Sequence, residues 1–149
     1  MERRRPRTPP ARPLVLIVDG HDDATVSYAA ALTTFGFEVA TADDGDRAFD
    51  HAWATRPDII VTEVSLPRLD VWSFVENLKG NPRTREIPVV VLTDHAVSPL
   101  RKHAERDGCA EVLEKPYPPQ RLAHELRELL GRLPAPSTSQ SADQGETRR

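Results

Sequence analysis

Five short apolar runs, each followed by a stretch of helical character, constrain this chain more than any other feature. Leu14–Val18 is continuously apolar, as a strand buried on both faces must be. Asp22 or Asp23 is placed to cap a helix that reaches Phe35, where Gly36 stops it. Glu38–Ala42 reads as a second strand, and Asp43 or Asp44 caps a helix through about residue 54. Ile59–Thr62 is a third strand, followed by a helix over Val71–Lys79 that Gly80-Asn81-Pro82 ends. Residues 88–93 form a fourth strand, and Ser98 with Pro99 carries the cap and first-turn signature of a helix to Arg106. Glu111–Glu114 is a short fifth strand. In the last segment, over 119–130, Leu122, Leu126, Leu129, Leu130 and Leu133 share one helical face.

Five strand–helix units in about 120 residues imply an α/β domain with a parallel sheet and helices on both faces. The flavodoxin-like strand order 2-1-3-4-5 places ligands at the carboxyl ends of the strands. Asp19, Glu63, Thr93 and Lys115 all fall at such ends. That convergence says more than any one motif.

Outside this unit the chain changes character. Residues 1–13 hold four prolines and five arginines with no apolar period, and are expected to be a disordered basic arm. Residues 14–132 are the folded domain, and 133–149 a disordered polar tail. Neither end leaves room for an output module, so the expectation is a stand-alone domain. The arm carries +4 and the tail is neutral, which leaves −7 of the net −3 on residues 14–133. An acidic body is ill suited to nucleic acid, leaving the arm alone to touch phosphate. No apolar run approaches the roughly 20 residues that span a bilayer, and Asp19 ends the first run too early for a signal peptide. The expected location is the cytoplasm. Cys109 is the single cysteine, which excludes an intramolecular disulfide and points to a small buried thiol.

The segment Pro57-Asp58-Ile59-Ile60-Val61-Thr62-Glu63-Val64-Ser65-Leu66-Pro67-Arg68-Leu69-Asp70 strongly resembles the third strand and following loop of the receiver domain of bacterial response regulators. Leu16-Ile17-Val18-Asp19-Gly20, Val91-Leu92-Thr93 and the run Gly108 to Pro116 extend the resemblance across most of residues 14–130. It implies two-component signalling, a phosphorylatable aspartate at the end of the third strand, and Mg²⁺ held by that residue with two acids of the first turn.

Here the acceptor position holds Glu63, and Gly20 replaces the second acid beside Asp19. Mg²⁺ wants octahedral oxygen ligation, so Asp19 and Glu63 alone predict weak binding or none. Glutamate advances the carboxylate by roughly 1.5 Å, and phosphoryl transfer tolerates such misplacement poorly. Two compatible readings follow. Glu63 is a structural acid neutralised by Lys115, or it mimics the phosphorylated state by accepting hydrogen bonds from Thr93 and Lys115. The resemblance also assigns Val112 to a switch position usually held by an aromatic ring; valine is stiff at χ1 and has no ring to move. It further implies a cis peptide at Lys115–Pro116.

No nucleophile–base pair or Gly-rich phosphate loop is visible, so no independent enzyme is expected. The leading function is an interaction module in a phosphorelay, acting without aspartyl phosphorylation. The alternatives are a competent phosphorelay receiver, or a nucleic-acid-associated protein acting through its arm. The partners expected are a histidine kinase, phosphotransfer protein or output protein, with homodimerisation a further outcome and no membrane. Val26, Ala29, Ala30 and Thr33 form one helical arc, widened by Leu32, Tyr28 and Phe35 to about 220°, beyond what packing on a sheet needs. The surplus edge, Tyr28, Ala31 and Phe35, is one docking candidate, and Arg101 and Lys102 on the fourth helix are another. Apart from His21, no histidine is expected near the site; His51, His95, His103 and His124 read as surface residues.

Overall fold

The computed structural model describes residues 12–20 and 22–132, with residues 22–24 and 132 described by backbone alone. The proposed arm before residue 12, His21, the side chains of Asp22 and Asp23, and the proposed tail lie outside the described residues.

Ten elements alternate along the chain: β1 (Leu14–Val18), α1 (Asp22–Thr34), β2 (Glu38–Ala42), α2 (Gly45–Thr55), β3 (Ile59–Thr62), α3 (Val71–Lys79), β4 (Val89–Thr93), α4 (Val97–Arg106), β5 (Glu111–Glu114) and α5 (Pro119–Arg132). The strands form one parallel sheet in the order β2-β1-β3-β4-β5, the flavodoxin-like arrangement expected. Among the described residues no helix is long and apolar enough to cross a membrane.

The continuous apolar strands are explained by burial on both sides. Val15 and Ile17 of β1 face a core closed by Leu32 of α1 and by Leu122, Leu126 and Leu130 of α5. Leu16 and Val18 point the other way, onto Ala48 and Ala52 of α2 and Phe74, Val75 and Leu78 of α3. A third, much smaller cluster joins Val91, Val112 and Ala104 under α4. Successive side chains alternate between faces, so each strand feeds two cores. Each fully buried leucine of α5 contributes about 2 kcal/mol of transfer free energy, which is an upper estimate against a compact unfolded chain.

Caps set where helices begin. Asp44 accepts from the Arg47 amide at 2.8 Å to start α2, and Asp70 accepts from the Ser73 amide at 3.0 Å to start α3. That hydrogen bond holds the Asp70 carboxyl below the ordinary carboxylate range. The fourth helix departs from expectation. It starts at Val97 with Ala96 as its cap and no side-chain cap bond, so Ser98 lies inside the first turn rather than before it. Gly36, at φ +97°, makes the left-handed turn from α1 into β2 that a side chain would resist.

The first helix also corrects the sequence reading. Its sheet-facing side is Thr25, Tyr28, Ala29 and Leu32, while Val26 is 65% exposed and Ala30 and Thr33 face solvent. From Ala24 to Thr34 the helix has no charged residue to mark its outer side, so periodicity alone sets the arc about one residue out of phase.

Candidate functional site

The last ladder bonds of the sheet bring four side chains to one edge. The Glu63 amide donates to Val18 O at 2.9 Å, the Asp19 amide to Ala42 O at 3.1 Å, and the Lys115 amide to Thr93 O at 2.7 Å. These bonds fix the ends of β1, β3, β4 and β5 beside one another, as the shared strand-end position of the four residues predicts. The Lys115–Pro116 peptide is cis.

Lys115 stands at the centre. Its Nζ lies 3.2 Å from Asp19 Oδ2 and 3.3 Å from Glu63 Oε2. Asp19 and Glu63 are 6% and 3% exposed, so each carboxylate needs that charge nearby. Burial of the ammonium pulls its pKa down. The Asp19 charge and hydrogen bond, and then those of Glu63, outweigh burial and leave the pKa above the ordinary lysine value. Lys115 is therefore protonated throughout the physiological range.

Glu63 uses its extra methylene to fold back on its own backbone. Oε1 accepts from the Val64 amide at 2.5 Å while Oε2 meets Lys115. The expected hydrogen bond from Thr93 is not formed; the Thr93 hydroxyl instead accepts from the His95 amide at 3.1 Å. Of the two partners expected for Glu63, Lys115 is met and Thr93 is not. Thr93 is fully buried and spends its oxygen on the turn into α4.

Gly20 follows Asp19 against the ring of Pro67. A Cβ built there would meet Pro67 Cδ at 3.1 Å and Cγ at 3.3 Å, closer than ordinary contact. The residues do not fit Mg²⁺ as they stand. The second turn acid is missing, and the lysine ammonium already bridges the two carboxylates that would bind the ion. Val112 is buried in the small cluster under α4, with Val91 and Ala104 as neighbours.

Sequence reasoning missed two residues at this edge. One ligand atom each from Glu63, Asp94 and His95 lie within 4.8 Å of one another. His95 Nε2 also lies 3.2 Å from Ser65 Oγ. His95 is on the surface, as expected, but it borders the site. The topology held the signal, because residues that follow Thr93 share the carboxyl edge with Glu63.

The docking candidates divide. Tyr28 is half-buried and its hydroxyl donates to Tyr117 O at 2.9 Å, and Ala31 is half-buried too. Phe35 is 40% exposed. On α4, Arg101 pairs loosely with Glu111 at 3.8 Å, and Lys102 is exposed. Cys109 packs against the second and third clusters, and burial pushes its thiol up to about 11.

Residues 15–127 match the family described as response regulator receiver domain. The transcriptional regulatory protein PrrA of Mycobacterium leprae is 36% identical over 129 residues, covering 87% of this chain and 54% of PrrA. The chain therefore spans about half the length of that relative. The receiver domain of sensor histidine kinase PA1611 from Pseudomonas aeruginosa PAO1 has a magnesium ion coordinated in its active site cleft. It is similar at TM-score 0.74 and 26% identity, over 81% of this chain and 99% of that one. The chemotaxis protein CheY4 of Vibrio cholerae is similar at TM-score 0.74 and 27% identity, over 79% of this chain and 98% of that one.

Proposed function

The chain belongs to the response regulator receiver family, and on that premise we propose that it signals through protein contacts without aspartyl phosphorylation. It is a receiver domain of two-component signalling. The reading rests on one observation, the Asp19–Lys115–Glu63 bridge. A receiver that accepts phosphate needs its acids free to gather a metal, and its acceptor oxygen in line with the donor. Here the two acids already share the Lys115 ammonium between them. The acceptor carboxylate is longer by one carbon and curled onto the Val64 amide. Residues 14–132 are the working module in this reading.

Two further features support it. Thr93 is engaged by the His95 amide, and Val112 has no ring to relay a change at Thr93. The proposed partner, met in the cytoplasm, is a histidine kinase, phosphotransfer protein or output protein. It would meet the uncharged α1 surface around Phe35 or the Arg101–Lys102 face of α4. The same surfaces would serve a homodimer.

The test is incubation with a small phosphodonor and Mg²⁺, read by intact mass. Wild type should gain nothing, whereas Glu63→Asp with Gly20→Asp should gain one phosphate. The revertant must first displace the Pro67 ring by a few tenths of an ångström. Phosphate uptake by wild type as readily as by the revertant would overturn the proposal.

A further inference from the structure

We infer that Glu63, Asp94 and His95 form a binding site for a first-row divalent transition-metal ion, with Zn²⁺ and Co²⁺ as its natural probes. The site lies on the Thr93 side of Glu63, whereas Lys115 fills the Asp19 side. The inference is independent of whether phosphate is ever transferred.

Geometry supplies the first argument. The two carboxylate oxygens and the imidazole nitrogen are mutually within 4.8 Å. A tetrahedral shell with bonds of about 2.1 Å brings ligand atoms to about 3.4 Å from one another, so the set must close by roughly an ångström. Glu63 is the fixed member, 3% exposed. Its contacts with the Val64 amide and Lys115 leave lone pairs to spare, because each carboxylate oxygen has two. Asp94 and His95 are the movable members, with side chains 72% and 53% exposed. Their backbone is held by the bond from the His95 amide to Thr93 Oγ1. Ser65 Oγ, 3.2 Å from His95 Nε2, steadies the ring or adds a fourth donor.

Charge supplies the second argument. Asp94 adds a carboxylate beside Glu63, which shares the Lys115 ammonium with Asp19, so among the described residues a cation entering on the Thr93 side meets an excess of negative charge. A divalent ion balances that excess. Ligand type supplies the third. Imidazole with carboxylates suits Zn²⁺ and its first-row neighbours, whereas Mg²⁺ prefers oxygen alone.

The test uses the full chain without an affinity tag, titrated with Zn²⁺ by calorimetry and with Co²⁺ by visible absorption. One equivalent of Zn²⁺ should bind, and a millimolar excess of Mg²⁺ should not displace it. His95→Ala and Asp94→Asn should each weaken binding by about tenfold or more. His124→Ala should change nothing, although His124 also faces a carboxylate, Glu128 at i+4. Both ligand variants lie at exposed positions, so matching melting curves without metal will show that they fold. Absence of binding, or binding that survives His95→Ala within twofold, would overturn the inference. Phosphate uptake by wild type would sink the proposed function and leave this site standing; failed Zn²⁺ binding without phosphate uptake would do the reverse.

Discussion

Replacing Lys115 by methionine removes the cation that bridges two buried acids while keeping most of the side-chain volume. Unit charges at 3.2 and 3.3 Å attract by about 5 kcal/mol each at an effective dielectric near 20. Repulsion between the acids and the desolvation of all three groups offset much of that. The mutation reads the penalty for stranding buried carboxylates, about 3–5 kcal/mol for a broken buried pair. The Val64 amide still serves Glu63, so the lower end applies, about 3 kcal/mol, or roughly 10 °C in Tm for a domain of this size. Urea unfolding at neutral pH measures it directly. Glu63→Gln in the variant background should recover part of the deficit. Lys115 has a raised pKa in the fold, so its contribution is whole below the unfolded value of 10.5 and fades as pH rises through the higher folded value. The gap between wild type and variant should therefore narrow in strong alkali. A loss below about 1 kcal/mol at pH 7, or one that Glu63→Gln does not relieve, would refute the bridge as an essential pairing.

Tyr28→Phe should cost about 1 kcal/mol by deleting the bond to Tyr117 O, whereas Val26→Ser should stay within about 0.5 kcal/mol, both read by urea unfolding. Gly45→Ala should cost more than either, because a Cβ there would come within 2.5 Å of Leu69 O; a melting temperature equal to wild type would contradict the contact. Cys109, with its thiol pushed up to about 11, should react with a disulfide reagent at pH 8 about a hundredfold more slowly than a free thiol.

The strands and their order were legible because continuous apolar runs have few other uses in a soluble chain. The strand-end rule then located Asp19, Glu63, Thr93 and Lys115 without any coordinates. What escaped depends on rotation and on local competition. No charge between Ala24 and Phe37 marks the outer face of α1, so periodicity packs Val26, which the fold leaves exposed. The Thr93 oxygen accepts from the adjacent His95 amide, and the Glu63 carboxylate curls onto the Val64 amide rather than reaching the Thr93 hydroxyl. Sequence names the groups at a strand end, but not which of several short-range partners each will choose.

The straps between α1 and α5 divide the domain into a stiff half and a yielding one. Tyr28 ties one end of the pair to Tyr117 O, and Arg127 lies over the Phe37 ring at 4.6 Å and donates to Phe35 O at 3.0 Å at the other. Across the sheet, α4 has one buried residue, Ala104, backed by the partly buried Val97 and Leu100 and by His103 stacked on Trp72. Amide exchange should follow that divide, slow along α5 and fast along α4. A disturbance at the carboxyl edge then has one inexpensive exit, through α4. The α1–α5 face becomes a handle by which another molecule can hold the domain without turning its lock.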